Sequence, residues 1–258
     1  MKKAVTSLII ILTIFTNLHA DKYKYRQFPH VKKFYSEITL DAIEIGKKYN
    51  IPPAALLAIA GLESGYGRGY VGQITGNILS LGAFKGDKEL PRLYLPYSAS
   101  DKRVLYNPKK IKKHPASDLT WKKRPKSLKR DYRPAKYAGT SKNLELLYYD
   151  KELRRKAHIA CLTDFATRWI SSTSNVKIFR QTRSWIAKQV DKKGKNILFN
   201  MKFNKEFIER IGGHKNSFNY RETWPKKVKH IMKQVGLVKL TNDINMKHMS
   251  FDEAWSKQ

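Results

Sequence analysis

The chain has 258 residues, with 52 Lys and Arg against 21 Asp and Glu, a formal net charge of +31. That length allows one large or two small domains with a real core, and the charge selects polyanionic surroundings: nucleic acid, anionic glycans, teichoic polymers or lipid head groups. One cysteine, Cys161, excludes an internal disulfide, and seven histidines without H-E-x-x-H or paired-ligand spacing give no reason to expect a metal or other cofactor.

Residues 1–20 read as a secretory signal peptide. Met1-Lys2-Lys3 is a positive start, Ala4 to Leu18 is apolar, and Leu18-His19-Ala20 offers a small residue at a cleavage point. The segment is short for a stable span, although an uncleaved anchor is its other reading. No other stretch is apolar enough to cross a bilayer, so the expectation is a periplasmic or secreted protein without stable membrane insertion. Loss of Lys2 and Lys3 with the leader leaves +29. Export argues against nucleic acid and leaves anionic envelope polymers as partners.

Val31, Phe34, Tyr35, Ile38, Ala42, Ile45 and Tyr49 recur at helical spacing, and Asn50 closes that run. Pro52-Pro53 then forces a break and opens a second helix with proline in its first turn. From Ala54 to Leu62 this helix is apolar all round, which predicts a buried central rod. Its one charge is Glu63, on the face of Leu56, Ile59 and Ala60, and Gly65, Gly67 and Gly69 stop the helix just beyond it. Partial burial there would favour the protonated acid, the form that can act as a general acid. Gly67, Gly69 and Gly72 also satisfy G-x-G-x-x-G, but a dinucleotide site needs a preceding strand and here a helix comes first.

The run Glu63-Ser64-Gly65-Tyr66-Gly67, followed by Thr75-Gly76-Asn77-Ile78-Leu79-Ser80-Leu81-Gly82, resembles the glucosaminidase family of peptidoglycan hydrolases, including its Bax-like and flagellar muramidase-like members. In that family an apolar helix ends in a motif like ALESGWG, and one like NNLFGIK follows about a dozen residues later. Here Tyr66 replaces the more usual tryptophan, and the match is specific over residues 51 to 86. The resemblance implies a mainly α, α+β lysozyme-like fold, a helical lobe with a small loop or hairpin lobe inserted after the catalytic helix. It also implies cleavage of the β-1,4 glycosidic bond after N-acetylglucosamine, with Glu63 as catalytic acid. Ser64, Tyr66, Asn77, Tyr97 and Tyr220 are the residues expected to face peptidoglycan glycan strands, with pinning of the loop the other reading of Tyr97 and packing that of Tyr220.

Residues 85–140 read as a basic, loop-rich insertion. Between Lys102 and Lys136 there are fourteen Lys or Arg, two acids and four prolines, with a short hairpin expected near Leu93 to Leu95 or Arg103 to Tyr106. A glycosidase usually carries a second carboxylate, and Glu89 is the choice, with Asp87, Asp101 and Asp118 behind it. The substrate's own acetamido group is the alternative.

Helices are expected over 150–170, capped by Asp150, near Val176 to Val190, over about Asn204 to Ile211, and from a Thr223 cap with Pro225 in the first turn. Cys161 lies among apolar residues and reads as core. The segment Tyr220 to Val228 looks like a diverged form of the resembled family's closing Y-x-x-K-V segment, with Trp224 where a tyrosine would stand and read as packing. The domain is expected to span 21–240, and 241–258 to be a frayed polar tail with one amphipathic turn. Two rivals share these residues: a lytic transglycosylase, and a non-catalytic cationic wall-binding protein. The oligomeric state is not legible.

Overall fold

A computed structural model describes residues 23–82, 94–105, 108–123 and 150–257. Residues 1–20, read above as a signal peptide, and the candidate acids Asp87 and Glu89 lie outside the described residues. The described chain is mainly α-helical, with a three-stranded antiparallel sheet inserted among the helices.

Helix α1 spans Pro29–Tyr49 and ends at Asn50, whose left-handed φ of 53° closes it; helix α2, Pro53–Ser64, follows the prolyl corner. Every residue of α2 from Pro53 to Gly61 is buried, as an all-apolar surface requires. Around it pack α1, α7 (Met201–Ile211), α8 (Trp224–Val235) and α9 (Leu237–Lys247). Prolines at the start of α2 supply no capping side chain. Its early Ala55 N–H is met from another helix instead: Asn204, buried on α7, accepts it on Oδ1 at 2.8 Å and donates Nδ2 to Leu198 and Asn200 carbonyls. An interior amide satisfied on both ends is a strong specifier of how α2 and α7 meet.

Short helix α3, Tyr70–Thr75, ends at Gly76, which has φ +68° and sits against Ala157 so closely that a Cβ there would overlap it. Strands β1 (Tyr94–Ser98), β2 (Arg103–Val104) and β3 (Leu119–Lys123) form the sheet in the order β2-β1-β3, with Tyr97 opposite both Val104 and Thr120. Helix α4, Pro108–Lys113, lies between β2 and β3. The described residues 94–105 and 108–123 of the basic insertion therefore carry three strands and a helix that their composition did not announce. Their apolar minority, Leu95, Val104 and Ile111, packs on Tyr70 and Val71 of α3 and docks the sheet beside the end of α2.

Helix α5, Lys151–Asp164, is capped by Asp150, whose Oδ1 accepts Leu153 N–H at 2.8 Å, and runs on into a π-helical turn, Phe165–Trp169. Cys161 is a fully buried core residue, its thiol pushed up to about 12 by burial. Helix α6 is Lys177–Lys193. The third expected helix begins earlier than Asn204, with Asn200 as the side-chain cap of α7. At α8, Thr223 holds the N-cap position but its side chain caps nothing.

The frayed tail expected over 241–258 is corrected. Helix α9 continues through Lys247, and α10, Phe251–Ser256, follows with a capping box in which Ser250 and Glu253 bond reciprocally. Ile244, Phe251, Ala254 and Trp255 are buried. Each helix is too short to persist alone, so its order comes from the apolar face it lays on the core. Arg26, buried near the start of the described chain, seals that packing: its guanidinium donates to the carbonyls of Val235, Gly236, Ala254, Trp255 and Lys257. Among the described residues no helix is long and apolar enough to cross a membrane.

Candidate active site around Glu63

Glu63 is the penultimate residue of α2, and Gly65 ends the helix in the left-handed conformation, φ +57°. The carboxyl is half-buried. The indole Nε1–H of Trp224 donates to Glu63 Oε1 at 2.7 Å, across 161 residues of sequence. Trp224 is only 3% exposed and opens α8. Its ring is buttressed by Phe218, 5.5 Å away between centroids, which in turn contacts Phe165 and Trp169 of the π-turn. A rigid aromatic wall thus fixes one oxygen of the acid. The sequence reading of Trp224 as packing was half of its role; the indole N–H, a donor with no other function, was the signal that could have found the rest.

The two segments that carry the family resemblance meet in space. Ser80, exposed and in the left-handed region at φ 50°, donates from Oγ to the Glu63 carbonyl at 3.3 Å. Asn77 shapes that loop from inside: its Nδ2 donates to Leu81 O and its Oδ1 accepts Leu81 N–H, both at 2.9 Å. At 5% exposure, Asn77 holds the loop rather than presenting its amide outward.

The other expected contact residues divide. Ser64 is buried, donating to Ala60 O and accepting Gly67 N–H at 2.8 Å, so its hydroxyl closes the end of α2 instead of meeting a ligand. Tyr66 has φ +57° and turns its half-buried ring onto Phe34 and Tyr35 of α1, where burial pushes its hydroxyl up to about 12. Tyr97 is half-buried in β1 beneath Lys122, whose Nζ lies 3.4 Å from the ring centroid. Tyr220, 70% exposed in the turn that leads to Trp224, is the member of the set most open to a ligand.

Among the fallback acids, Asp118 is fully committed. It accepts from Ser98 Oγ, Ser100 N, Ser100 Oγ and His114 Nδ1, and these bonds hold its carboxyl well below the usual carboxylate range. Asp101 pairs with Arg103 at 3.0 Å. These bonds staple the turn between β1 and β2 to the start of β3 and leave no general base there. The carboxyl's folded value lies below its ordinary 3.8, so its contribution is present above 3.8 and lost as pH falls through the folded value. Hydrogen-exchange protection of the Ser100 amide should therefore be constant from neutral pH to about pH 4 and fail only further down. Loss beginning above pH 4 would remove Asp118 from that role.

Chemically the arrangement can hold a single carboxyl in one orientation beside a shaped loop. Trp224→Phe keeps most of the ring and deletes the donor. If Glu63 is the acid that the resemblance implies, activity on wall polymer should fall about 10- to 100-fold in kcat with KM nearly unchanged, because the lost bond would act on that acid and not on binding. An equal loss in KM alone would place Trp224 in substrate binding instead. Among the described residues no cluster of His, Cys, Asp or Glu could hold a metal ion. Comparison with protein-family models, with curated proteins and with solved structures finds no match to this chain.

Proposed function

We propose that the chain is an exported peptidoglycan hydrolase that cleaves the β-1,4 glycosidic bond after N-acetylglucosamine, with Glu63 as its general acid. The observation that carries this reading is the hydrogen bond from Trp224 to Glu63 at the end of an otherwise apolar buried helix. An indole N–H can only donate, so Oε1 accepts, and because the carbonyl oxygen of a neutral acid is the better acceptor this favours the proton on Oε2. Oε2–H is then the donor to the leaving glycosidic oxygen. As the proton departs, the carboxylate left behind gains a charge-assisted bond from Trp224 that the neutral acid had only weakly. The positive charge developing on the sugar is met by Glu89 or by the substrate's acetamido group, and water then adds to the anomeric carbon and returns a proton to the Glu63 carboxylate. Periplasmic or secreted location follows from the leader at residues 1–20, and the excess of 52 basic over 21 acidic residues suits an anionic wall.

Digestion of purified sacculi, followed by end-group analysis of the released sugars, tests the reading. New reducing N-acetylglucosamine ends are expected. Anhydro-muramic ends would replace the hydrolase by a lytic transglycosylase, and binding without any released fragment would replace it by a wall-binding protein.

A further inference from the structure

Helix α8 turns Trp224, Val228, Ile231, Met232 and Val235 into the core, and its outer side carries Lys226, Lys227, His230 and Lys233, all exposed. No acid lies on that side. Of the neighbouring acids, Glu209 of α7 is taken by Lys229 at 2.5 Å, and Glu222 precedes the helix. Among the described residues Lys226, Lys227 and Lys233 have no carboxylate within ion-pair distance. The turn Lys24–Gln27, which packs on α8 and bonds His230 through Tyr25, adds a further exposed cation, Lys24. Lys226 and Lys227 stand in the first turn of α8, which holds no acid. That end of a helix is the positive pole of the peptide dipoles, so a cation there costs stability where an acid would add it. Lys226 is also one turn from Lys229, and Lys229 one turn from Lys233, spacings at which like charges repel. By contrast Lys47 and Lys48 of α1 and Lys192 and Lys193 of α6 occupy last turns, where the dipole favours them. The two lysines at the start of α8 work against their own helix, and a local conflict of that kind points to a use outside the fold.

We propose that the outer face of α8, through Lys226, Lys227 and Lys233, docks the carboxylates of an acidic, hydrated polymer, which in the envelope is peptidoglycan with its peptide carboxylates. The identity of the polymer rests on the peptidoglycan reading above, but the docking does not require Glu63 to be catalytic. The face presents point-like ammonium groups on flexible stems, spread over roughly 10 Å of helix, and these suit separate carboxylates better than one group held bidentately. Among the described residues none of the large exposed hydrophobic side chains lies on α8, so the face lacks the apolar wedge that seats a helix in a bilayer interface. Contacts of this kind are individually weak and screened by salt, so the protein would be held in the wall while remaining free to exchange between neighbouring strands.

Co-sedimentation with purified sacculi in a Glu63→Gln background isolates docking from cleavage. Lys226→Glu combined with Lys227→Glu should weaken binding about tenfold in dilute buffer and raise the melting temperature by about 2 °C, because acids suit that end of the helix. A purely structural role would not move the two readouts in those opposite senses. Lys177→Glu combined with Lys188→Glu, at exposed positions of α6, changes the net charge equally and should leave binding within about twofold of the parent. Lys226→Arg combined with Lys227→Arg should retain binding. Amidation of the carboxyl groups of the sacculi should erase the difference between the parent and the α8 glutamate variant. The docking face is overturned if that variant binds native sacculi as well as its parent, if the α6 variant loses as much, or if the α8 variant binds less and also melts lower. Weaker binding to vesicles of anionic phospholipid with unchanged binding to sacculi would overturn it in favour of a membrane partner. If the protein with Glu63 intact releases no sugar while the α8 variant behaves as expected, the face stands and the hydrolase reading falls; the reverse pattern leaves the hydrolase without the face.

Discussion

Glu63→Gln is expected to abolish clearing of purified sacculi while leaving the fold intact. Gln keeps a carbonyl oxygen that can accept the Trp224 indole N–H, so the bond now measured at 2.7 Å survives and the end of α2 stays packed. What it loses is the proton on the second oxygen. General-acid catalysis contributes about 10²- to 10⁴-fold, and glutamine has no acidic proton to supply in its place. Rates should fall into that range or below detection, with circular dichroism and melting temperature unchanged. A variant that clears sacculi at the parent rate would remove Glu63 from the mechanism. A variant that also unfolds would show instead that the carboxyl is part of the core. The pairing with Trp224→Phe is informative, because one variant removes the proton and the other removes only the group that orients its carrier. Both should lower kcat, and the double variant should cost little more than Glu63→Gln alone, since the two residues act as one unit.

Arg26→Met should cost about 3 to 4 kcal/mol of stability, seen as a melting temperature lower by about 10 °C. Arg26 donates to carbonyls at the end of α8, at Val235 and Gly236, and along α10 and its exit, at Ala254, Trp255 and Lys257. Helix C-terminal carbonyls are short of partners, and in this buried corner water does not replace the guanidinium. Its charge is also held against the rings of Tyr23, 4.6 Å from the centroid, and Trp255, 5.1 Å. Burial lowers the guanidinium to about 10, far above neutrality, so the charge persists across the working pH range. Methionine matches the stem but supplies no donors. Denaturant unfolding that shifts by less than about 1 kcal/mol would mean that water or rearranged backbone serves those carbonyls. Any activity that depends on Glu63 should be spared at low temperature, because Arg26 ties α10 to the end of α8 and does not touch the carboxyl.

The elements built from a single stretch of chain were legible beforehand. Helix α1 follows its apolar spacing from Val31 to Ile45, and the αL Asn50 and the Pro52-Pro53 corner fall where local backbone chemistry puts them. Burial of α2 on every side follows from its having no polar face until Glu63. The Asp150 cap and the core position of Cys161 are equally local. By contrast, the C-terminal helices were missed because their evidence is half polar. Leu240, Ile244, Phe251 and Trp255 are too few to declare a helix unless a core is there to receive them. The sheet was underestimated because Lys and Arg dominate the stretch around its strands, while Leu95 and Val104 of the strands and Ile111 of α4 pack on Tyr70 and Val71.

At the candidate site the same division holds. The acid, its place at a helix end and the glycine turn beyond it were determined by the sequence itself, since propensity, capping and apolar patterning act over a few residues. Which side chains share that space was decided by tertiary structure. Trp224 reaches Glu63 from 161 residues away, Ser80 brings the second motif onto the first, and Ser64, Asn77 and Asp118 spend their polar atoms inside the fold. A hydrogen bond between distant residues leaves no periodic trace, because its partners are chosen by how helices pack and not by their spacing along the chain.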